Sequence, residues 1–212
     1  MKLGIFDSGI GGEAVYSDLK VAFPSADIVL VDDKKNLPYG NKSSEIIRSL
    51  TTSAIQPLLN QRCDIIILAC NTATAEAIEH LRSLYPDQLF IGFEPMLKPA
   101  RNLTKTGTIA LCATPATLKS ARYQSLKQKY SDMLILEPDC SQWAYMIEND
   151  TLNNTAIKQT IEHVLARRAD VIILGCTHYH WIEEKITEIV NGRAKVIQPT
   201  KAIIRRVRSL LS

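Results

Sequence analysis

The sequence predicts an α/β protein built from two like halves, and three observations predict it. Short apolar runs rich in Ile, Val and Leu alternate with amphipathic stretches along the whole chain. That alternation implies parallel sheets with helices on both faces. Two runs are near copies, Asp64-Ile65-Ile66-Ile67-Leu68-Ala69-Cys70-Asn71-Thr72 and Asp170-Val171-Ile172-Ile173-Leu174-Gly175-Cys176-Thr177-His178, offset by 106 residues. The same offset pairs Ser8 with Thr114, each following another apolar run. The expected architecture is therefore two pseudo-twofold-related lobes. Each has a parallel-sheet core and presents one thiol to a cleft between them.

Strands are expected at 2–6, 27–31, 64–69, 89–92, 107–112, 133–136, 170–174 and 195–197. Several are apolar throughout, as strands buried on both faces are. Helices are expected at 12–22, 43–60, 73–84, 117–129, 141–149, 155–168, 180–190 and 200–211. Ser43-Ser44 form a cap for the second, and Pro57 predicts a kink or an early end inside it. The halves divide near Glu94-Pro95, giving lobes 1–94 and 95–199, with a last helix at 200–212 packing back on the first.

A hydrophobic fraction of 46% supports a genuine core, and 22% charged residues is ordinary. The net charge of +3 is too small to imply a nucleic-acid partner. Arg205-Arg206-Val207-Arg208 reads as a solvated helix end. The five cysteines are odd in number, widely spaced and without a CxxC pair, so no disulfide framework is expected. The Met1–Phe6 stretch runs into a turn rather than a signal-like apolar segment, and no run approaches a membrane span. These features imply a cytoplasmic protein with reduced thiols.

Cys70 and Cys176 each end an apolar strand and precede a helix, where parallel sheets bind ligands. Helix N-terminal amides there are expected to lower the thiol pKa from about 8.5. Phe6-Asp7-Ser8-Gly9-Ile10-Gly11-Gly12 is a strand, a glycine-rich turn and a helix start. Its amides suit a carboxylate, with Asp7 as a nearby acid. It lacks the GK[ST] of a phosphate loop and the spacing of GxGxxG. His178 lies two residues past Cys176, so each half lends a different titratable group, Asp7 from one and His178 from the other. Zinc held by Cys176, His178 and His180 is a rival reading that lacks a fourth ligand. Asp33 with Pro38-Tyr39-Gly40 forms a polar loop whose Tyr39 hydroxyl and Gly40 amide are candidate ligand contacts. Ala113-Thr114-Pro115-Ala116-Thr117 is the second-half counterpart of the Asp7-Ser8 loop. Its hydroxyls suit a carboxylate, and Thr117 equally suits a cap. Glu148 is a candidate neighbour of His178.

Together these motifs resemble the glutamate racemases of the cofactor-independent aspartate/glutamate racemase superfamily. The matching stretches are Gly4–Gly12, Asp33 with Pro38-Tyr39-Gly40, Ala69-Cys70-Asn71-Thr72-Ala73, Glu94-Pro95, Ala113-Thr114 with Thr117, and Leu174-Gly175-Cys176-Thr177-His178-Tyr179. They follow the family order over nearly the whole chain. The resemblance implies Cys70 and Cys176 as the catalytic pair, assisted by Asp7 and His178. It places ligand contacts on Asp7, Ser8, Tyr39, Gly40, Asn71, Thr72, Thr114, Thr117, Thr177 and His178. It also implies a small acidic amino acid as substrate, a role in peptidoglycan supply, no metal or pyridoxal phosphate, and a homodimer as in many members. Two departures stand out. The second half looks short between the Glu148 region and the helix near 155–168. Tyr179-His180-Trp181 stands where the family has Tyr-Pro-Leu character, which predicts bulk and a second imidazole on one wall.

The residues leave alternatives open. These are racemisation of aspartate or another acidic amino acid, an amino-acid-binding member with weak catalysis, and a Cys-His hydrolase that leaves Cys70 idle.

Overall fold

The computed structural model describes residues 1–211, the last of them by backbone alone. Ser212, the end of the expected last helix, lies outside the described residues. Among these residues are two four-stranded parallel sheets. The first runs in the order β2-β1-β3-β4, from β1 (Lys2–Asp7), β2 (Asp27–Asp32), β3 (Ile65–Leu68) and β4 (Leu89–Gly92). The second has the order β6-β5-β7-β8, from β5 (Thr108–Ala113), β6 (Leu134–Leu136), β7 (Val171–Gly175) and β8 (Lys195–Ile197). The sequence offset of 106 maps β1 onto the span of β5 and starts β7 and β8 where β3 and β4 predict.

All four residues of β3 are buried because both faces of the sheet are covered. On one face Leu3, Ile5 and Ile67 pack with Val15 and Leu19 of α1 (Gly11–Ala22) and with Ile203 and Val207 of α11 (Thr200–Leu211). The last helix thus lies against the first sheet. On the other face Phe6, Ile66 and Leu68 meet Ile47 of α2 (Ser44–Ala54), Leu58 of α3 (Gln56–Asn60) and Ala77 of α4 (Asn71–Leu84). In the second sheet, Ile109, Leu111 and Ile173 pack with Leu97 of α5 (Leu97–Leu103) and Tyr123. Cys112, Ile172 and Leu174 pack with α9 (Asn154–Ala166) and α10 (Glu183–Val190).

Three helices differ from expectation, each for a local reason. The 43–60 helix is two pieces, α2 and α3, with Pro57 in the first turn of α3, where a missing N–H costs no helical bond. The 117–129 helix is also split. Thr114, not Thr117, caps α6 (Pro115–Lys119) by accepting from the Thr117 amide at 3.3 Å, and Ser120 caps α7 (Ala121–Lys129). The Thr177–Ile182 segment is a 3-10 helix, so α10 starts only at Glu183. Helix α5 is not foreseen, because Pro99 in its first turn interrupts the helical pattern. No helix among the described residues is long and apolar enough to cross a membrane.

Burial on both faces of the central strands sets a clear expectation. Ile67→Ala, at a position with 0% exposure, should cost about 2–5 kcal/mol. Leu89→Ala, on the edge strand at 51% exposure, should stay within about 0.5 kcal/mol. Urea unfolding of the two variants measures the difference.

Candidate active site

In each sheet the chain runs outward from a central pair of strands, β1 and β3 in one and β5 and β7 in the other. The loops leaving those pairs diverge and open a crevice at the carboxyl edge. The segments there are Asp7–Gly9, Cys70–Thr72, Thr114–Thr117 and Cys176–His178. The two crevices face each other and enclose one cavity of about 380 Å3. Its walls include Ser8, Tyr39, Gly40, Cys70, Asn71 and Thr72 from the first half. Thr114, Glu148, Cys176, Thr177 and His178 come from the second. Both thiols therefore open onto the same space.

Their surroundings differ. Cys70 caps α4, its Sγ accepting from the Ala73 amide at 3.4 Å and lying 3.2 Å from Ser8 Oγ. Cys176 Sγ is 3.7 Å from His178 Nδ1, and His178 Nε2 is 2.6 Å from Glu148 Oε2. A carboxylate, an imidazole and a thiol are thus in series. Glu148 sits at the end of α8 (Trp143–Glu148), thirty residues before the histidine, and meets it as the sequence reading expected.

Asp7 and Thr117 do not line the cavity. Asp7 is fully buried behind it, accepting from the Gly9 amide at 2.9 Å and the Thr177 hydroxyl at 2.8 Å. Thr117 is buried behind Thr114, and Thr72, Thr114 and Thr117 share their hydroxyls at 2.8–3.3 Å across the two halves. Asn71 donates to the Phe93 carbonyl at 3.2 Å, while its Oδ1 is buried with no partner. Tyr39 donates to Asp33 at 2.7 Å. Burial, then that bond, holds the phenol far above its ordinary pKa.

Two expectations change here. Two amides of the glycine-rich turn are already taken, Gly9 N–H by Asp7 and Ile10 N–H by Glu148 at 3.4 Å, which leaves fewer of them for a carboxylate than expected. The glycines of the turn admit the other half. A Cβ on Gly9 would stand 2.9 Å from His178 Nε2, and one on Gly11 only 2.5 Å from Thr177. Nor do the helix amides lower the pKa of the thiols. Burial, then the charge of Asp7, pushes Cys70 up to about 11 despite the Ala73 amide. Burial, then Cys70, raises Cys176 well above the ordinary value. Desolvation outweighs the helix amides because the thiolate loses all its water.

His180 and Trp181 leave the wall clear. The His180 ring bonds the Thr177 carbonyl and Gln198, each at 2.8 Å, so it joins no metal set with Cys176 and His178. Trp181 is half exposed on another groove. No group of three or more His, Cys, Asp or Glu among the described residues is placed to hold a metal. Residues that sequence reading passed over include Lys34, Asn41, Gln142, Tyr145 and Asn149 at the cavity mouth.

Two like α/β units closed on one cavity, with a thiol from each, define a class of racemase. The family described as Asp/Glu/Hydantoin racemase matches residues 19–207, and the chain belongs to it. The chain is 34% identical to glutamate racemase of Pseudomonas syringae pv. tomato over 99% of its own length and 78% of the relative's. It is 37% identical to that of Sulfurovum sp. over 99% and 82%. The Escherichia coli glutamate racemase, solved with L-glutamate and the activator UDP-MurNAc-ala, superposes with a TM-score of 0.89 at 25% identity, covering 99% and 82% of the chains. The Pseudomonas match spans 215 positions against this chain of 212. It leaves room for only a few inserted residues. Most of the relative's extra length therefore falls outside the match.

Two outcomes follow from this geometry. Gly9→Ala drives a methyl into the His178–Glu148 pair, so turnover should fall at least about tenfold while the circular dichroism spectrum is kept. The raised thiol pKa has a signed effect on stability. The unfolded Cys70 thiol ionises near 9.0 and the folded one near 11, so its contribution is complete below pH 9 and is lost as pH rises through 11. Cys70→Ala should therefore lose less Tm than the parent across that window, read by thermal melts at matched ionic strength.

Proposed function

We propose that the protein interconverts L- and D-glutamate by moving the α-proton between Cys70 and Cys176. The carrying observation is one buried thiol from each half on a single cavity. A thiolate on one face takes the α-proton, and the thiol on the other face returns a proton to the carbon. One proton is removed and one added, with no redox change. Each turnover leaves the thiolate on the opposite side, ready for the reverse reaction.

Burial favours the neutral thiols, and the substrate itself supplies the missing positive charge. Its α-ammonium, placed between the sulfurs, favours one thiolate. Asn71 Oδ1, a buried acceptor without a partner, suits that ammonium. His178 at 3.7 Å is placed to take the Cys176 proton, with Glu148 holding the ring and the developing imidazolium. Ser8, Thr72 and Thr114 offer hydroxyls to a carboxylate, and amides of Thr72 and Ala73 face Cys70. The carbanion is supported by such fixed donors in a dry cavity. Residues 1–94 with α11, and 95–199, are read as the two lobes that close on the substrate. By resemblance, Cys70 serves the D-enantiomer and Cys176 the L-enantiomer. A cytoplasmic role supplying D-glutamate for peptidoglycan fits the free thiols and the relatives.

Incubation with L-glutamate in D2O, without added cofactor, should give α-deuteration and D-glutamate together. Exchange without D-product means that only one face works. A blank with both glutamate and aspartate favours a binding protein. Enantiomers have equal free energy, so kcat/KM must be the same in both directions. Cys70→Ser and Cys176→Ser should each lower it by about 10²–10⁴ in both directions equally. Full activity in either variant removes the two-thiol mechanism.

A further inference from the structure

Among the residues lining the cavity, Lys34 is the only lysine or arginine. It opens the 3-10 turn Lys34–Asn36 at the carboxyl edge of the first sheet, and the following Leu37–Asn41 also line the space. Acidic groups lie around the interior. Glu148 is on the wall, Asp7 is buried behind Ser8 and Thr177, and the reaction requires a thiolate. An acidic amino acid, with two carboxylates and one ammonium, brings a further net negative charge into this field. Its reactive end is matched by hydroxyls and amides around the sulfurs. Its second carboxylate would be drawn to a cation, and the cavity lining holds one.

Lys34 Nζ is 3.2 Å from Glu13 Oε1 and 3.4 Å from Asp32 Oδ2. The lysine side chain is 44% exposed and the two acids are 52% and 34% exposed. Pairs this wet contribute little, so an arriving carboxylate exchanges for them readily. We propose that Lys34 is a specificity-determining residue that leaves Glu13 and Asp32 to meet the substrate's side-chain carboxylate at the cavity mouth. This rests on the glutamate reading above, and it assigns acidic-substrate preference to a cation from the rim of the first half. Lys35, the adjacent cation, is exposed and does not line the cavity.

The test compares the full-length protein with Lys34→Met and Lys34→Arg. Lys34→Met should raise KM for L-glutamate about tenfold, a charged hydrogen bond less the weak rim pairs it replaces, with kcat within about twofold. Lys34→Arg should recover most of the loss. The inhibition constant of L-glutamine, which has a neutral side chain of like size, should be unchanged by Lys34→Met. The KM increase should shrink as salt is raised, because an ion pair at an exposed rim is screened. An unchanged KM, a loss confined to kcat, or an equal loss for glutamine would overturn the assignment. If the wild-type protein does not racemise glutamate, the functional reading fails by itself. Calorimetric binding of L-glutamate to wild type and Lys34→Met then decides the role of Lys34.

Discussion

The close approach of the Asp7–Gly12 turn to the Cys176–Tyr179 segment is the contact on which the site depends. Gly9 and Gly11 leave no room for a side chain against His178 and Thr177. Through that gap Asp7 accepts from the Thr177 hydroxyl, and Glu148 reaches both His178 and the Ile10 amide. One carboxylate from each half thus steadies a residue beside the other half's chemistry. A second bridge, the Thr72–Thr114–Thr117 hydroxyl cluster, closes the opposite side of the cavity. At the crossing between halves, Arg122 of α7 pairs with Glu94 and, at 2.8 Å, with Glu79.

Closure of this kind has an electrostatic consequence. A thiolate enclosed by the two halves loses its water, and Asp7 behind the wall adds a like charge. Both effects favour the neutral thiol over the anion. Asp7 is itself held above its ordinary value by burial, against the pull of His178. Where they stand, both thiols are therefore favoured as neutral groups.

Duplication explains the frame, and divergence explains the chemistry. The sheets share strand order and, by one offset, strand position. The residues at matched loops do not repeat: Asp7 faces Ala113 and His178 faces Thr72 under the same offset. A proton donor and acceptor on opposite faces of one carbon needs like geometry, but each sulfur is served by its own partner. Ser8 and the Ala73 amide attend Cys70, while His178 and Glu148 attend Cys176.

The eight strands were legible because buried parallel strands are continuous apolar runs with sharp polar ends. The thiols were legible because the near-copied segments place both at such ends. Short-range motifs exposed Ser8, Asn71, Thr72, Thr114, Thr177 and His178 for the same reason, each sitting within four residues of a strand end, while Tyr39 was marked by its Pro-Tyr-Gly turn. Helix breaks at Ile55 and Ser120 were less legible, since Pro57 and the caps act within one turn and leave the apolar pattern intact. Only the tertiary structure decided that Asp7 and Thr117 stand behind the wall, that Glu148 completes the His178 pair, and that Lys34 is the mouth's cation. These depend on which loops from distant segments share a cavity. Thiol protonation was decided there too, because local amides argue for a lowered pKa and only complete burial reverses it. Periodicity and spacing report what the backbone does nearby; desolvation and charge pairing are set by whatever the rest of the chain folds against it.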